Sequence, residues 1–433
     1  MNPFSAMKLA ARLAAWVAPK VQTWAKESGA NREEGERHLS VGNYTEAERY
    51  LLLAVAEAGA RKSGGKQHTQ LLLNLATGQW KQHKLFQAKT TAQAARETLG
   101  KGGGRPGPEL ATCLDLLGNI ALDEGDAAEA CRFFEAALEV EEKLRPARVE
   151  AMTVLCRRLA DVHRRSEDFD AAETFLKRAI RLSEDGLGQE HRVTGDRLSE
   201  LGVFYQGRGR HAESQECFER ALAIHQRTRG RGSEEAEARD FEGLAEVFQQ
   251  SGDAEKAEEY YKRAFSVRER QVGGDPARLA VLMMKLAGLS VQASSFAQAT
   301  ELLLQAVGRF EAVRDERRAN ALVSLAEIYH RFGRDSEAAA NLMKACSIWD
   351  ESPADHTAAV HSARETLDRI LENLSPEDRD AAYAQASGLR GGYASPVQNL
   401  QKALAAEVAV FRELAAGESA LKVRPPGGAG PIR

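Results

Sequence analysis

The chain has 433 residues, of which 43% are hydrophobic and 28% charged, with a net charge of −4. That balance describes a folded protein and gives no general attraction to nucleic acid. Aromatics reach only 6% and prolines number 12, which favours helices over a β-sandwich, and the length exceeds what one hydrophobic core serves unless each unit packs only on its neighbours.

Residues 1–27 come first as a basic amphipathic segment. Lys8, Arg12, Lys20 and Lys26 precede the first acid, Glu27, while Phe4, Leu9, Leu13, Trp16, Val17 and Trp24 fall near one helical face. Pro19 should kink or split this helix. Three roles stay open for it: a membrane-surface or targeting helix, a helix docked on the first helices after residue 28, or a segment bound by the rest of the chain. Phe4, Leu13, Trp16 and Trp24 are the residues that would enter a membrane or pack.

From residue 28 to 350 one pattern recurs. A Leu–(Ala/Gly) step is followed by a short helical stretch, a Gly or polar turn, and then a helix carrying two small residues seven apart with a bulky one between them. The small residue after the Leu marks the register. It stands at Ala76, Gly118, Ala160, Gly202, Ala245, Ala287 and Ala326, at spacings of 42, 42, 42, 43, 42 and 39, with a weaker copy at Gly35. Eight units result. Glycine occupies the turn in five of them, at Gly42, Gly125, Gly209, Gly252 and Gly333, where a tight helix–helix turn needs backbone freedom. The paired small residues, such as Ala130/Ala137 and Ala257/Ala264, share one side of their helix because seven residues make two turns. The bulky residue between them (Leu51, Phe134, Leu176, Phe218, Tyr261, Leu303, Leu342) is expected to fill the space between units.

This arrangement resembles the tetratricopeptide repeat over about three quarters of the chain. The usual unit has about 34 residues; the 42-residue period here is similar to the kinesin-light-chain type, with each helix longer by about a turn. HEAT and armadillo arrays share a period of about 40–47, but the Gly-x-x-x-x-Ala step, as in Gly252 to Ala257, argues against them. The resemblance implies an all-α, right-handed superhelical α-solenoid of about eight helix-turn-helix repeats. It also implies a concave face lined by the first helix of each unit, where a partner binds. On the positions that line this face in the family, the candidate partner-binding residues are Asn74, Trp80, Lys81, Asn119, Arg157, Asp161, Arg164, Arg165, Gln206, Glu246 and Gln249. Arg157, Arg164 and Arg165 would pair with acidic side chains of a protein or peptide, and Trp80 would hold an apolar anchor. The competing view is a solvated face with internal ion pairs, such as Arg157 with Asp161 one turn away. Kinesin-light-chain-type repeats favour Asn two positions before the register residue. Asn74 keeps it, whereas Arg158, Glu200, Gly243, Lys285 and Ser324 depart from it.

Signals for chemistry are weak. The Gly-rich stretch at 100–108 lacks a preceding strand and a following Gly-Lys-Ser/Thr, so it reads as an inter-repeat loop. The histidines form no H-E-x-x-H, and no G-x-S-x-G occurs. Cys113, Cys131, Cys156, Cys217 and Cys346 are widely spaced, with no C-x-x-C pair. They read as reduced, mostly buried residues in a cytoplasmic setting, with no disulfide framework or zinc site. No enzyme activity, metal or cofactor is expected, and no apolar run is long enough to span a membrane. Beyond the repeats, residues 351–418 read as a helical cap. Its helices fall at 354–373, from Ser375-Pro onward, and at 396–416; residues 419–433 read as a disordered tail. The sequence thus describes a non-enzymatic interaction scaffold. The alternative is a membrane-associated assembly factor held through residues 1–26, which would make it a peripheral membrane protein. The oligomeric state stays open.

Overall fold

The computed structural model describes residues 30–60, 65–101, 106–228, 233–271, 274–352 and 356–387. The predicted N-terminal helix, the helix at 396–416 and the tail lie outside them. The described residues form eighteen helices and no strand. Repeats one to four are the hairpins α1 (Ala30–Ser40) and α2 (Tyr44–Ala60), α3 (Gly65–Lys81) and α4 (Leu85–Lys101), α5 (Pro108–Asp123) and α6 (Ala127–Lys143), and α7 (Val149–Arg165) and α8 (Phe169–Gly186). Repeats five to eight are α9 (Arg192–Gly207) and α10 (His211–Arg227), α11 (Ser233–Ser251) and α12 (Ala254–Arg270), α13 (Pro276–Gln292) and α14 (Phe296–Ala312), and α15 (Arg318–Arg331) and α16 (Asp335–Glu351). Then come α17 (Thr357–Asn373) and α18 (Pro376–Ser387). Most of these helices have 17 residues, so the longer period went into longer helices. The chain divides into two compact units, Met1–Phe204 and Tyr205–Arg433.

Every repeat turns in the same way. The residue seven after the register position has a left-handed φ in all eight: Gly42, His83, Gly125, Glu167, Gly209, Gly252, Ser294 and Gly333, between 57° and 88°. The next residue donates its backbone N–H back across the turn, as in Asn43 to His38 O, Asp126 to Ala121 O and Asp253 to Phe248 O, each at 2.9 Å. This is the Schellman arrangement, which satisfies carbonyls the first helix would leave open. The same residue then caps the second helix: Asp126, Asp168 and Asp253 accept from Glu129, Ala171 and Lys256 N–H at 2.8, 3.2 and 3.1 Å. Five of the eight turn residues were visible as glycines; His83, Glu167 and Ser294 adopt the same backbone without one.

The small-residue pattern lies in the core. The register residues are buried in every repeat, and so are the paired small residues from Ala47/Ala54 to Ala338/Ala345, with Ser214 standing in for one alanine. In the first unit the apolar clusters link neighbours: Leu51 with Leu71 and Leu75, Ala92 with Leu117, and Phe134 with Leu155 and Leu159. The bulky residue does more than fill the space between repeats. Phe134 also packs on its own repeat's register residue, so close that a Cβ on Gly118 would sit 2.5 Å from the ring. Leu51 lies over Gly35 in the same way. The close approach of the two helices therefore depends on a missing side chain.

In the second unit, α17 and α18 both pack against α16, placing Ala363, Ile370 and Ala382 in one cluster with Leu342 and Trp349. Ser375 caps α18: its Oγ accepts from Asp378 N–H at 3.1 Å and donates to Asp378 Oδ2 at 2.7 Å, with Pro376 at the first helical position.

Candidate functional site

In repeats one to three the first helices α1, α3 and α5 lie side by side, and the candidate residues lie on the first helices α3, α5, α7, α9 and α11. Most of them are already engaged within the protein. Asn74 Nδ2 donates to Glu36 Oε1 at 3.4 Å and its Oδ1 accepts from Gln70 at 3.0 Å. Asn119 is buried; it donates to the Asp115 carbonyl at 2.7 Å and accepts from Arg158. Gln206 donates to Glu246 at 2.9 Å, Glu246 also accepts from Lys285, and Gln249 accepts from the Tyr261 hydroxyl at 3.0 Å.

These contacts follow a rule. The residue two before the register position in one repeat reaches the residue one after it in the preceding repeat: Asn74 to Glu36, Arg158 to Asn119, Lys285 to Glu246. The same residue covers the bulky residue of the preceding repeat. Arg158 lies over the Phe134 ring at 5.8 Å and Lys285 over Tyr261 at 5.6 Å, while at Gly243 the ring of Phe218 occupies the place of a side chain. Arg158 also pairs with Asp115 at 2.9 Å. Burial pushes Asp115 up and Arg158 down from their ordinary values, although each charge partly offsets the other's displacement. This position is a joint between repeats. In the sequence it stands out only as a departure from asparagine; the usable signal was complementary polar character about one repeat length apart.

The arginines separate into two groups. The expected pair of Arg157 with Asp161 does not form. Arg157 reaches Glu200 of the next repeat at 3.7 Å, and Asp161 pairs with Arg164 at 3.5 Å. The Glu200 carboxyl is pushed up by burial and held down by Arg197 and Arg157, while Asp161 takes its partner from its own helix one turn on. Arg164 is 55% exposed in its surface pair, and Arg165 is exposed without an ionic partner among the described residues. Both close the last turn of α7, where the helix dipole favours a cation. Trp80, near the end of α3, donates its indole N–H to Asp123 Oδ2 at 2.6 Å, and the exposed Lys81 ammonium lies 4.2 Å from its ring centroid. Phe4, Leu13, Trp16 and Trp24 lie outside the described residues.

Four of the five cysteines are buried and all are free. Burial pushes the thiols of Cys113 and Cys156 up to about 11. No helix among the described residues is long and apolar enough to cross a membrane.

Residues 109–185 and 196–270, which cover repeats three to six, match the family model of the tetratricopeptide repeat. This stretch of repeats three to six belongs to the tetratricopeptide-repeat family. Solved structures similar to it include BtubC (BKLC) from P. vanneervenii, at 19% identity over 53% of this chain and 92% of that one, with a TM-score of 0.48. A candidate kinesin light chain of nearly identical TPR-like repeats from Podosopora anserina is 19% identical over 48% and 98%, with a TM-score of 0.41. A tetratricopeptide repeat protein from Parabacteroides merdae is 17% identical over 70% and 99%, with a TM-score of 0.43. Tetratricopeptide repeats are units of protein–protein interaction, and this chain is a scaffold of that kind.

Proposed function

We propose that the first-helix face of repeats two to four binds a partner segment carrying acidic residues and an apolar anchor, without catalysis. The observation that carries this reading is the contrast among its charges. Arg158 is committed to the joint and Arg157 to Glu200, whereas Arg164, Arg165 and Lys81 keep their heads at the surface. Charged groups held within an array stabilise it; those left in solvent are free to meet a partner's carboxylates. Trp80 serves as the apolar platform once Lys81 swings off its ring. Arg164→Glu/Arg165→Glu, titrated with a fluorescein-labelled peptide of four glutamates around one tryptophan, should weaken binding at least about ten-fold, the loss of one charge-assisted contact. Equal affinity for wild type and double variant would overturn the placement. A partner held at a membrane through residues 1–26 is the second reading. Liposome flotation of the full chain, compared with a variant lacking those residues, tests it, and equal flotation removes it.

A further inference from the structure

At the junction of repeats three and four, the first turns of α5 and α7, the last turn of α6 and the end of α8 enclose a cleft of about 620 Å³, a size suited to a side chain or small ligand. Its walls differ in chemistry. Val149, Val154, Leu155 and Leu187 make it apolar, while Asp115 and Glu141 add two carboxylates. Glu141 is 2% exposed; its Oε1 accepts from Arg148 Nη1 at 3.0 Å, and its Oε2 has no hydrogen-bond partner. A carboxylate oxygen buried in the wall of a cleft without a donor is an unfilled acceptor. Burial pushes both carboxyls up, and the charge of Asp115 adds to the effect on Glu141. Arg148 is the cation lining the cleft and already serves Oε1. The cleft shares Asp115 and Val154 with the first-helix face, at the opposite end of α7 from Arg164 and Arg165.

We propose that this cleft receives one arginine side chain of the partner segment. Its guanidinium would donate to Glu141 Oε2 and Asp115, and its methylene stem would lie along the four apolar residues. Guanidinium fits better than ammonium because its planar fork serves two acceptors at once and its stem tolerates apolar walls. The terminal torsion of Glu141 is broad; turning Oε2 to the opening turns Oε1 with it, and the partly exposed Arg148 side chain would follow. This deepens the groove reading and rests on it: the partner would be bipolar, basic toward the start of α7 and acidic toward its end.

The test uses the full chain with labelled Val and Leu methyls, so that Val149, Val154, Leu155 and Leu187 report directly. N-butylguanidinium should shift these methyls saturably, and the neutral isostere N-butylurea should bind about ten-fold more weakly or worse, as expected for a charge-assisted contact. Glu141→Gln should remove that preference. Thr112→Trp, at an exposed residue of the rim, should block the shifts with Glu141 intact, which covers the case in which the buried substitution disturbs folding. Equal binding of the two probes, an unchanged preference in Glu141→Gln, or the absence of a saturable shift would each overturn the proposal. Arg164→Glu/Arg165→Glu should leave the butylguanidinium shifts unaltered, so the cleft and the acidic-peptide site fail separately.

Discussion

Two joints in this molecule cover an aromatic ring by opposite means. In the first unit, Phe134 is roofed by Arg158, whose guanidinium also ties together Asn119 and Asp115. In the second, Phe218 meets the bare backbone of Gly243, where a Cβ would stand 2.4 Å from the ring. One position in the repeat therefore carries a long cation in one place and no side chain in another. The requirement it serves is coverage of the ring below, and either a flexible amphipathic arm or direct backbone contact meets it. In this chain the position spans a joint between repeats.

The largest effects should come from the rings themselves. Phe134→Ala and Phe218→Ala should each cost about 3–5 kcal/mol, read by hydrogen exchange in the helices of the affected joint. A loss confined to one of the two would break their equivalence. Next, Gly243→Asn restores the family residue but forces an atom into Phe218 and should cost about 1–3 kcal/mol. Arg158→Asn restores the same residue and should cost about 1–3 kcal/mol for a different reason, because Asp115 is left buried without its guanidinium. Denaturant titration measures both, and a neutral Gly243→Asn would show that the ring can retreat.

Two aspartates sharpen the contrast through pH. Asp115 in the first unit is raised by burial above the ordinary 3.8, whereas Asp315 in the second is lowered, chiefly by its hydrogen bond from Arg317. The folded state thus binds the Asp115 proton more tightly than the unfolded chain does. Its contribution to stability falls as pH rises from 3.8 through the folded value, and acidification restores it. Asp315 has the opposite sign: its contribution is present above 3.8 and is lost as pH falls through the folded value. In urea unfolding measured against pH, Asp115→Asn should flatten the first slope and Asp315→Asn the second. The smallest effect belongs to Arg164→Gln/Arg165→Gln, within about 1 kcal/mol in stability, because both side chains are solvated and only a surface pair and the favourable charge at the helix end are lost. A larger loss would place these arginines in the joint and not on a free face.

The helical hairpins, their period and their core were legible because small residues recur wherever two helices touch, and that constraint is local and strict. Gly118 and the alanine pairs could be read directly. The polar face was legible only as a set of positions. Which charges pair depends on the neighbour one repeat away, so Arg157 meets Glu200 and not Asp161 of its own helix. Glu141 lay beyond reach, since nothing in its helix distinguishes a buried acceptor lacking a donor from the surface glutamates beside it. The turns show the same limit. Gly125 announced its backbone, while Glu167 adopts nearly the same one unannounced.

Those turns give the molecule a dial that recognition does not touch. At His83, Glu167 and Ser294 an L-residue occupies a left-handed conformation that glycine adopts freely. Relief of that local strain opposes the extra freedom glycine gives the unfolded chain, and the three turns belong to separate, non-consecutive repeats, so their effects should add. A graded series of variants, tuned one hairpin at a time, could therefore set how readily each repeat opens while the chemistry presented to a partner stays fixed.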